Sequence, residues 1–259
     1  MSRSLLFFVL STLFARHAGY GQGRTYAVVV GIADYKIGSY RNGDLRYADS
    51  DARQVNAFLK SAKGGNVPVT HIRQLLNAQA TYRAVIQATS LFGQAKPADR
   101  VLLYFSGHGQ ANGFLPYDVQ PGRANTVLTY EIIKAAFRRS RATTKLCIAD
   151  ACLSGGMTQS ASAQTRAVAS NLSAGTNVAM LLASRATQPA VEDGRRAGGT
   201  FTYYLLKGLQ GLADRDADHI VTIRELHAYV SPRVGRATGG RQSPVFYGHF
   251  PDTMPMSYL

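Results

Sequence analysis

The chain has 259 residues, 46% of them apolar and 17% charged, with two cysteines and a formal charge of +14. These proportions exclude wholesale disorder and suit one α/β domain with a buried core, or two small domains. The basic excess comes mostly from scattered arginines, with one knot at Arg138, Arg139 and Arg141; no basic stripe alternates with aromatics, so no nucleic-acid partner is expected, while anionic partners or envelope surfaces suit the charge.

In chain order, the first feature is a positive tip at Arg3 followed by a ten-residue, mainly apolar core, 5–14. That run is too short to span a bilayer and, with Gly19-Tyr20-Gly21 behind it, reads as a signal peptide over 1–21. An uncleaved anchor or a misplaced start codon are the alternatives. No cysteine sits at that junction, which argues against a lipoprotein anchor. Loss of Arg3 and Arg16 lowers the charge to 14 − 2 = +12. The expectation is an exported protein, periplasmic or secreted, with residues 22–259 as a single domain and no later membrane span.

Residues 26–32 read as a buried strand, followed by a glycine- and tyrosine-rich loop to about Asn42. Leu45, Ala48, Ala52, Val55, Phe58 and Leu59 recur at helical spacing over about 44–62, and Gly64-Gly65 ends that helix. A strand follows at 71–76. Thr81 then caps a helix through about Gln94, and Pro97 closes it. Residues 101–105 are a strand, 129–137 a helix and 145–149 another strand. The tract 158–176 is polar and aperiodic and reads as a flexible linker. A fifth strand at 178–183 and helices at 201–212 and 223–234 complete the pattern. Strands alternating with helices predict a parallel sheet covered on both faces.

Two strand ends carry the chemistry. One runs into Tyr104-Phe105-Ser106-Gly107-His108-Gly109 and the other into Asp150-Ala151-Cys152-Leu153-Ser154-Gly155-Gly156. Ligand sites of open α/β sheets form at the carboxyl ends of strands. Cys147 and Cys152 lie five residues apart along strand and exit turn, on the order of 16 Å and too far for a disulfide. Cys152 is therefore expected as a free thiol despite export, and Cys147 as a small core residue.

These motifs, with Gly199-Thr200-Phe201-Thr202 and Gly240-Arg241-Gln242-Ser243-Pro244, resemble the caspase clan of cysteine peptidases (peptidase C14 type) in its bacterial, metacaspase-like or orthocaspase-like branch. The resemblance implies a three-layer α/β fold with a mostly parallel six-stranded sheet. It implies a large-subunit-like part over 24–157, the linker over 158–177 and a small-subunit-like part over 178–250. The separation from His108 to Cys152, 152 − 108 = 44 positions, compares with about 50 in caspases. Cys152 would be the nucleophile and His108 the general acid and base, with the amides of Gly109 and Cys152 as oxyanion hole. Asp150 and Asp51 would line the S1 pocket, with Glu192 at its rim. Two carboxylates in one slot select a basic side chain, so cleavage after Arg or Lys is expected. Asp49 is the rival of Asp51.

Self-cleavage is expected after Arg166 in the linker, with Arg185, Arg195 and Arg196 as alternatives. No cofactor is expected to be required. The stretch 214–225 has acidic residues at positions 1, 3, 5 and 12 of a calcium loop, but His219 replaces the glycine at position 6. By the resemblance, Asp118 offers a carboxylate at a calcium position, whereas Gln159 stands where another is expected, so calcium-independent activity is the reading and no metal is assigned. Substrates are peptides or proteins, and a monomer is expected by resemblance. The competing readings are a silent caspase-like binding or scaffold module, and a cysteine amidase on the same fold.

Overall fold

The computed structural model describes residues 23–37, 45–110, 112–151, 177–183, 192–193 (backbone), 198–248 and 250–259. In chain order the elements are β1 (Thr25–Gly31), α1 (Ala48–Lys60), β2 (Ile72–Leu76), α2 (Tyr82–Ala88) and β3 (Arg100–Ser106). Three two-residue strands follow, β4 (Gly109–Gln110), β5 (Gly113–Phe114) and β6 (Leu128–Thr129), and then α3 (Tyr130–Arg138) and β7 (Thr144–Asp150). The last part holds β8 (Val178–Leu182), β9 (Glu192–Asp193), β10 (Gly198–Gly199), α4 (Thr200–Lys207), β11 (Ile220–Thr222), α5 (Ile223–Ala237), β12 (Val245–Tyr247) and β13 (Pro255–Tyr258).

The main sheet has the order β12-β8-β7-β3-β1-β2. Its first five strands by sequence are parallel, and β12 joins antiparallel to β8. This is the mostly parallel six-stranded α/β sheet that the resemblance implies, and its sixth strand was not legible as a periodic run. Near-continuous apolar strands such as 26–30 and 101–105 are covered on both faces, as parallel sheets require. Alternate residues sort to opposite sides: Val28 and Val30 pack with Phe92 and Phe137 on the α2 and α3 side. Ala27 and Val29 pack with Phe58, Phe201 and Leu226 on the side of α1, α4 and α5.

Local capping is as read at Thr81, whose side chain accepts from Ala84 N, and Thr129 does the same for α3. Two helices differ from expectation. The α-helix after Thr81 ends at Ala88 and continues as a 3₁₀ segment, Thr89–Gln94. The helix expected over 201–212 ends at Lys207 and loosens into a π turn, Gly208–Leu212, where Gly211 takes φ +118°. Glycine alone enters that conformation without strain. No described helix is long and apolar enough to cross a membrane. The signal segment and the linker lie outside the described residues.

Candidate active site

Gly31, Ser106 and Asp150 form one row across the carboxyl ends of β1, β3 and β7. The loops beyond them are tied together: Ile32 N donates to Ser106 O and Gly107 N donates to Asp150 O. His108 follows Ser106 by two residues, and Cys152 follows Asp150 by two. Cys152 itself lies outside the described residues, so its distance from His108 is not part of the geometry.

Asp51 reaches this row from α1. The helix rests directly on Gly31, where an added Cβ would sit 2.5 Å from Ala48 O and Ala52 Cβ. That close approach brings Asp51, in the first turn of the helix, down onto Ser106, whose hydroxyl donates to Asp51 Oδ2 at 3.3 Å. Gly199 N, the N-cap of α4, donates to both oxygens of Asp51 at 3.0 and 3.1 Å. Asp49, the rival carboxylate, instead turns outward into an i,i+4 ion pair with Arg53.

Asp150 meets the same helix end. Its Oδ2 accepts Thr202 N at 3.2 Å and the Thr202 hydroxyl at 2.7 Å. Thr202 Oγ1 lies 2.6 Å from Tyr104 Oη, so Tyr104, Thr202 and Asp150 form a hydrogen-bonded chain inside the protein. Asp51 and Asp150 are only 2% and 5% exposed. A Cβ on Gly199 would overlap Asp150 Oδ2 and lie 2.8 Å from Asp51 Oδ2, so both acids converge on this one glycine. Burial pushes the Tyr104 phenol well above its ordinary pKa, and the nearby negative charges of Asp51 and Asp150 push it further. Both carboxylates also lie at helix starts, Asp51 in the first turn of α1 and Asp150 against the first turn of α4. A helix end carries roughly half a positive charge, so the two ends offset about half of the pair's negative charge.

His108 is half-buried and held through its backbone. His108 N donates to Tyr35 Oη at 2.7 Å, Tyr35 Oη is 3.4 Å from Leu115 O, and the two rings lie 5.0 Å apart, tilted by 39°. Gly107 makes room for this, since a Cβ there would come 2.8 Å from Tyr35 Oη. Gly109 stands opposite Phe114 in the β4–β5 ladder, and His108 O accepts Leu115 N. Hydrogen-bonded and non-hydrogen-bonded pairs alternate along an antiparallel ladder. Gly109 therefore occupies a non-hydrogen-bonded position, and its N–H points away from β5.

The remaining predicted residues divide. The backbone of Glu192 pairs with Gly199 across β9 and β10, next to the acid pair. Cys147 is fully buried in β7, and burial pushes its thiol up to about 12. Asp118 accepts Tyr82 N at 2.7 Å and so serves the start of α2. The acidic turn brings ligand atoms of Asp214, Asp216 and Asp218 within 4.8 Å of one another, and His219 does adopt the left-handed φ, +67°, that glycine would supply. Its carboxylates accept backbone N–H groups of the turn, and Glu225 is engaged by Arg215 N and Thr222. Arg166, Arg185, Arg195 and Arg196, with Gln159, lie outside the described residues.

Ser106, Tyr104, Tyr35, Gly31 and Gly107 were not singled out as site residues by sequence reasoning. Ser106 and Gly107 stand inside the His108 motif, but nothing in spacing pairs Tyr35 with His108 or Tyr104 with Thr202. Gly199 and Thr202 carried a signal, since both belong to the motif at 199–202.

A family model described as the caspase domain of peptidase C14 matches residues 24–254. Among solved structures, the crystal structure of protein GSU0716 from Geobacter sulfurreducens superposes with a TM-score of 0.62 at 17% identity, covering 91% of this chain and 99% of that one. At that identity the likeness is one of fold. A search of curated proteins gives no match.

Proposed function

The chain belongs to the caspase-domain family of cysteine peptidases, and from that premise we propose that it is an endopeptidase cutting after Arg or Lys with a His108–Cys152 dyad. The observation that carries the specificity is the convergence of the buried Asp51 and Asp150 carboxylates on Gly199. A guanidinium or ammonium entering beside Gly199 meets two negative charges in a partly desolvated slot, where opposite charges attract strongly. An aspartate side chain would be repelled there. Glu192, whose backbone pairs with Gly199, is the proposed rim residue.

In the proposed reaction the Cys152 thiol gives its proton to His108 and the sulfur attacks the scissile carbonyl carbon. Gly109 N–H, turned away from its ladder partner, and Cys152 N–H would receive the resulting oxyanion. Collapse breaks the C–N bond, and His108 returns the proton to the departing amine. Water, deprotonated by His108, then hydrolyses the thioester and regenerates the thiol. Export, monomeric state, independence of calcium and self-cleavage after Arg166 belong to the same proposal.

The test is a fluorogenic peptide panel with Arg, Lys, Asp or Leu at P1, under reducing conditions, with and without calcium. Native protein should turn over the Arg and Lys peptides, Cys152→Ala should not, and Asp150→Ala should lose the basic preference. Absence of any turnover overturns the peptidase reading, and turnover after Asp overturns the pocket assignment. Incubated native protein should nick at Arg166 while Cys152→Ala stays intact; equal integrity of the two sinks self-processing.

A further inference from the structure

At the opposite, amino end of the sheet lies a concavity of about 600 Å³, lined by the starts of β1, β3 and β7, the turn after α1 and strand β13. Thr25, Arg100 and Thr144 form one register row there. Seven-residue strands at about 3.3 Å per residue put this floor on the order of 20 Å from the acid pair. It is therefore separate from the proposed substrate site.

Its side chains are of one sign. Arg24, Lys63, His71 and Arg100 line it, and none of its lining residues is Asp or Glu. Arg24 and Lys63 are exposed, and Lys63 Nζ is steadied by Gln210 O at 2.6 Å. Arg100 is half-buried and donates to two backbone carbonyls, Met256 O at 3.2 Å and Pro255 O at 2.5 Å. No described carboxylate forms an ion pair with it. Burial lowers the Arg100 pKa. His71 stacks on Tyr26, centroids 4.4 Å apart, and its buried Nδ1 has no hydrogen-bond partner among the described residues. The neighbouring acid, Asp99, is buried and already accepts Arg24 N and Lys96 N, each at 2.7 Å.

We infer that this cavity binds a compact polyanion carrying phosphate or carboxylate groups, held by Arg24, Lys63 and Arg100. A volume of about 600 Å³ exceeds what one phosphate needs and lies in the range of small-molecule sites. A guanidinium presents a planar fork suited to such groups, and a lysine adds a point charge at the rim. The same chemistry is offered by soluble oligophosphates and by anionic lipid headgroups. The inference does not rest on the peptidase reading.

The experiment is calorimetric titration of the purified protein with tripolyphosphate at low ionic strength, with flotation on phosphatidylglycerol vesicles as a second arm. Saturable one-to-one binding is expected, weakened about tenfold or more by Arg24→Ala/Lys63→Ala, because each change removes a charge-assisted contact. Arg138→Ala/Arg141→Ala, which removes equal charge from the exposed knot, should leave the affinity unchanged. Arg100→Met removes the half-buried guanidinium and should weaken binding likewise, and the surface pair decides the matter if that variant fails to fold. Tripolyphosphate binding without flotation identifies a soluble ligand, and flotation lost in the Arg24/Lys63 pair identifies a headgroup; both uphold the site. Equal weakening by the two double variants, or neither saturable binding nor flotation, overturns it.

Discussion

Gly199 owes its place to what a side chain would displace. Its backbone angles, φ −62° and ψ 132°, suit any residue, so conformational freedom is not the constraint. Space is: an added Cβ would collide with both carboxylates. Gly199→Ala should therefore push Asp51 and Asp150 out of their present places, lowering kcat/KM on Arg and Lys peptides by about two orders of magnitude, the scale of a few kcal/mol of lost binding. Unchanged kinetics would mean that the P1 side chain does not enter beside Gly199. Thr202 tests the other half of the slot. Thr202→Val removes a donor to a buried carboxylate, a loss of roughly 1.5–3 kcal/mol, so basic-P1 turnover should fall about 10- to 100-fold. Thr202→Ser should restore it, while alkylation of Cys152 by iodoacetamide stays at the native rate in both. A parallel drop in alkylation would point to general disruption rather than to Asp150. At this scale the proposed dyad and acids were legible because each stands in a compact motif. The Tyr104–Thr202 and Tyr35–His108 partnerships were not, because they join residues 98 and 73 positions apart that only the sheet brings together.

Elements rather than single residues decide where those acids stand. Helix α1 reaches Ser106 only because β1 ends in a glycine, and a pattern reading sees that glycine merely as one more residue of the strand 26–32. The long strands and amphipathic helices were legible from apolar periodicity, since burial on one or both faces leaves that mark on sequence. The two-residue strands β4, β5, β6, β9 and β10 are too short to leave one, and β12 is a three-residue edge strand fixed by its antiparallel pairing with β8. Helix α5 carries the clearest local signal: Thr222 and Glu225 form a reciprocal capping box. Thr222→Ala should cost about 1 kcal/mol in urea unfolding. Burial works to raise the Glu225 pKa, but hydrogen bonds from Thr222 and from the Arg215 backbone outweigh it and hold the carboxyl below its ordinary value of 4.5. A depressed folded pKa makes its contribution present above 4.5 and lost as pH falls through the folded value. The stability gap between native protein and Glu225→Gln should accordingly be open at pH 7 and close as the pH drops below about 4.5. A gap that stays constant between pH 7 and pH 3 would show that the carboxylate charge is not what the cap uses.

For the whole molecule, the most direct probe is the thiol that takes no part in the proposed chemistry. Cys147 sits at the middle of β7, opposite Leu103 of β3 on one side and Met180 of β8 on the other, with no exposure. Two barriers protect it. Reagent cannot reach it without parting the centre of the six-stranded sheet, and a pKa of about 12 leaves almost no thiolate at neutral pH. The chain has only two cysteines, so Cys152→Ala leaves Cys147 as the single reporter. Opening that central strand is expected to be equivalent to unfolding the whole domain, because both core clusters include β7 residues, Cys147 on one face and Leu146 on the other. Cys147 in Cys152→Ala protein should thus resist iodoacetamide for hours in buffer. With rapid reclosing, its labelling rate should rise with urea along the same slope as the global unfolding transition, and the free energy from that rate should equal the one from circular dichroism. Prompt labelling in buffer, or a rate indifferent to sub-denaturing urea, would instead mean that the sheet opens locally at β7. The two halves of the molecule would then unfold as separate units rather than sharing one core.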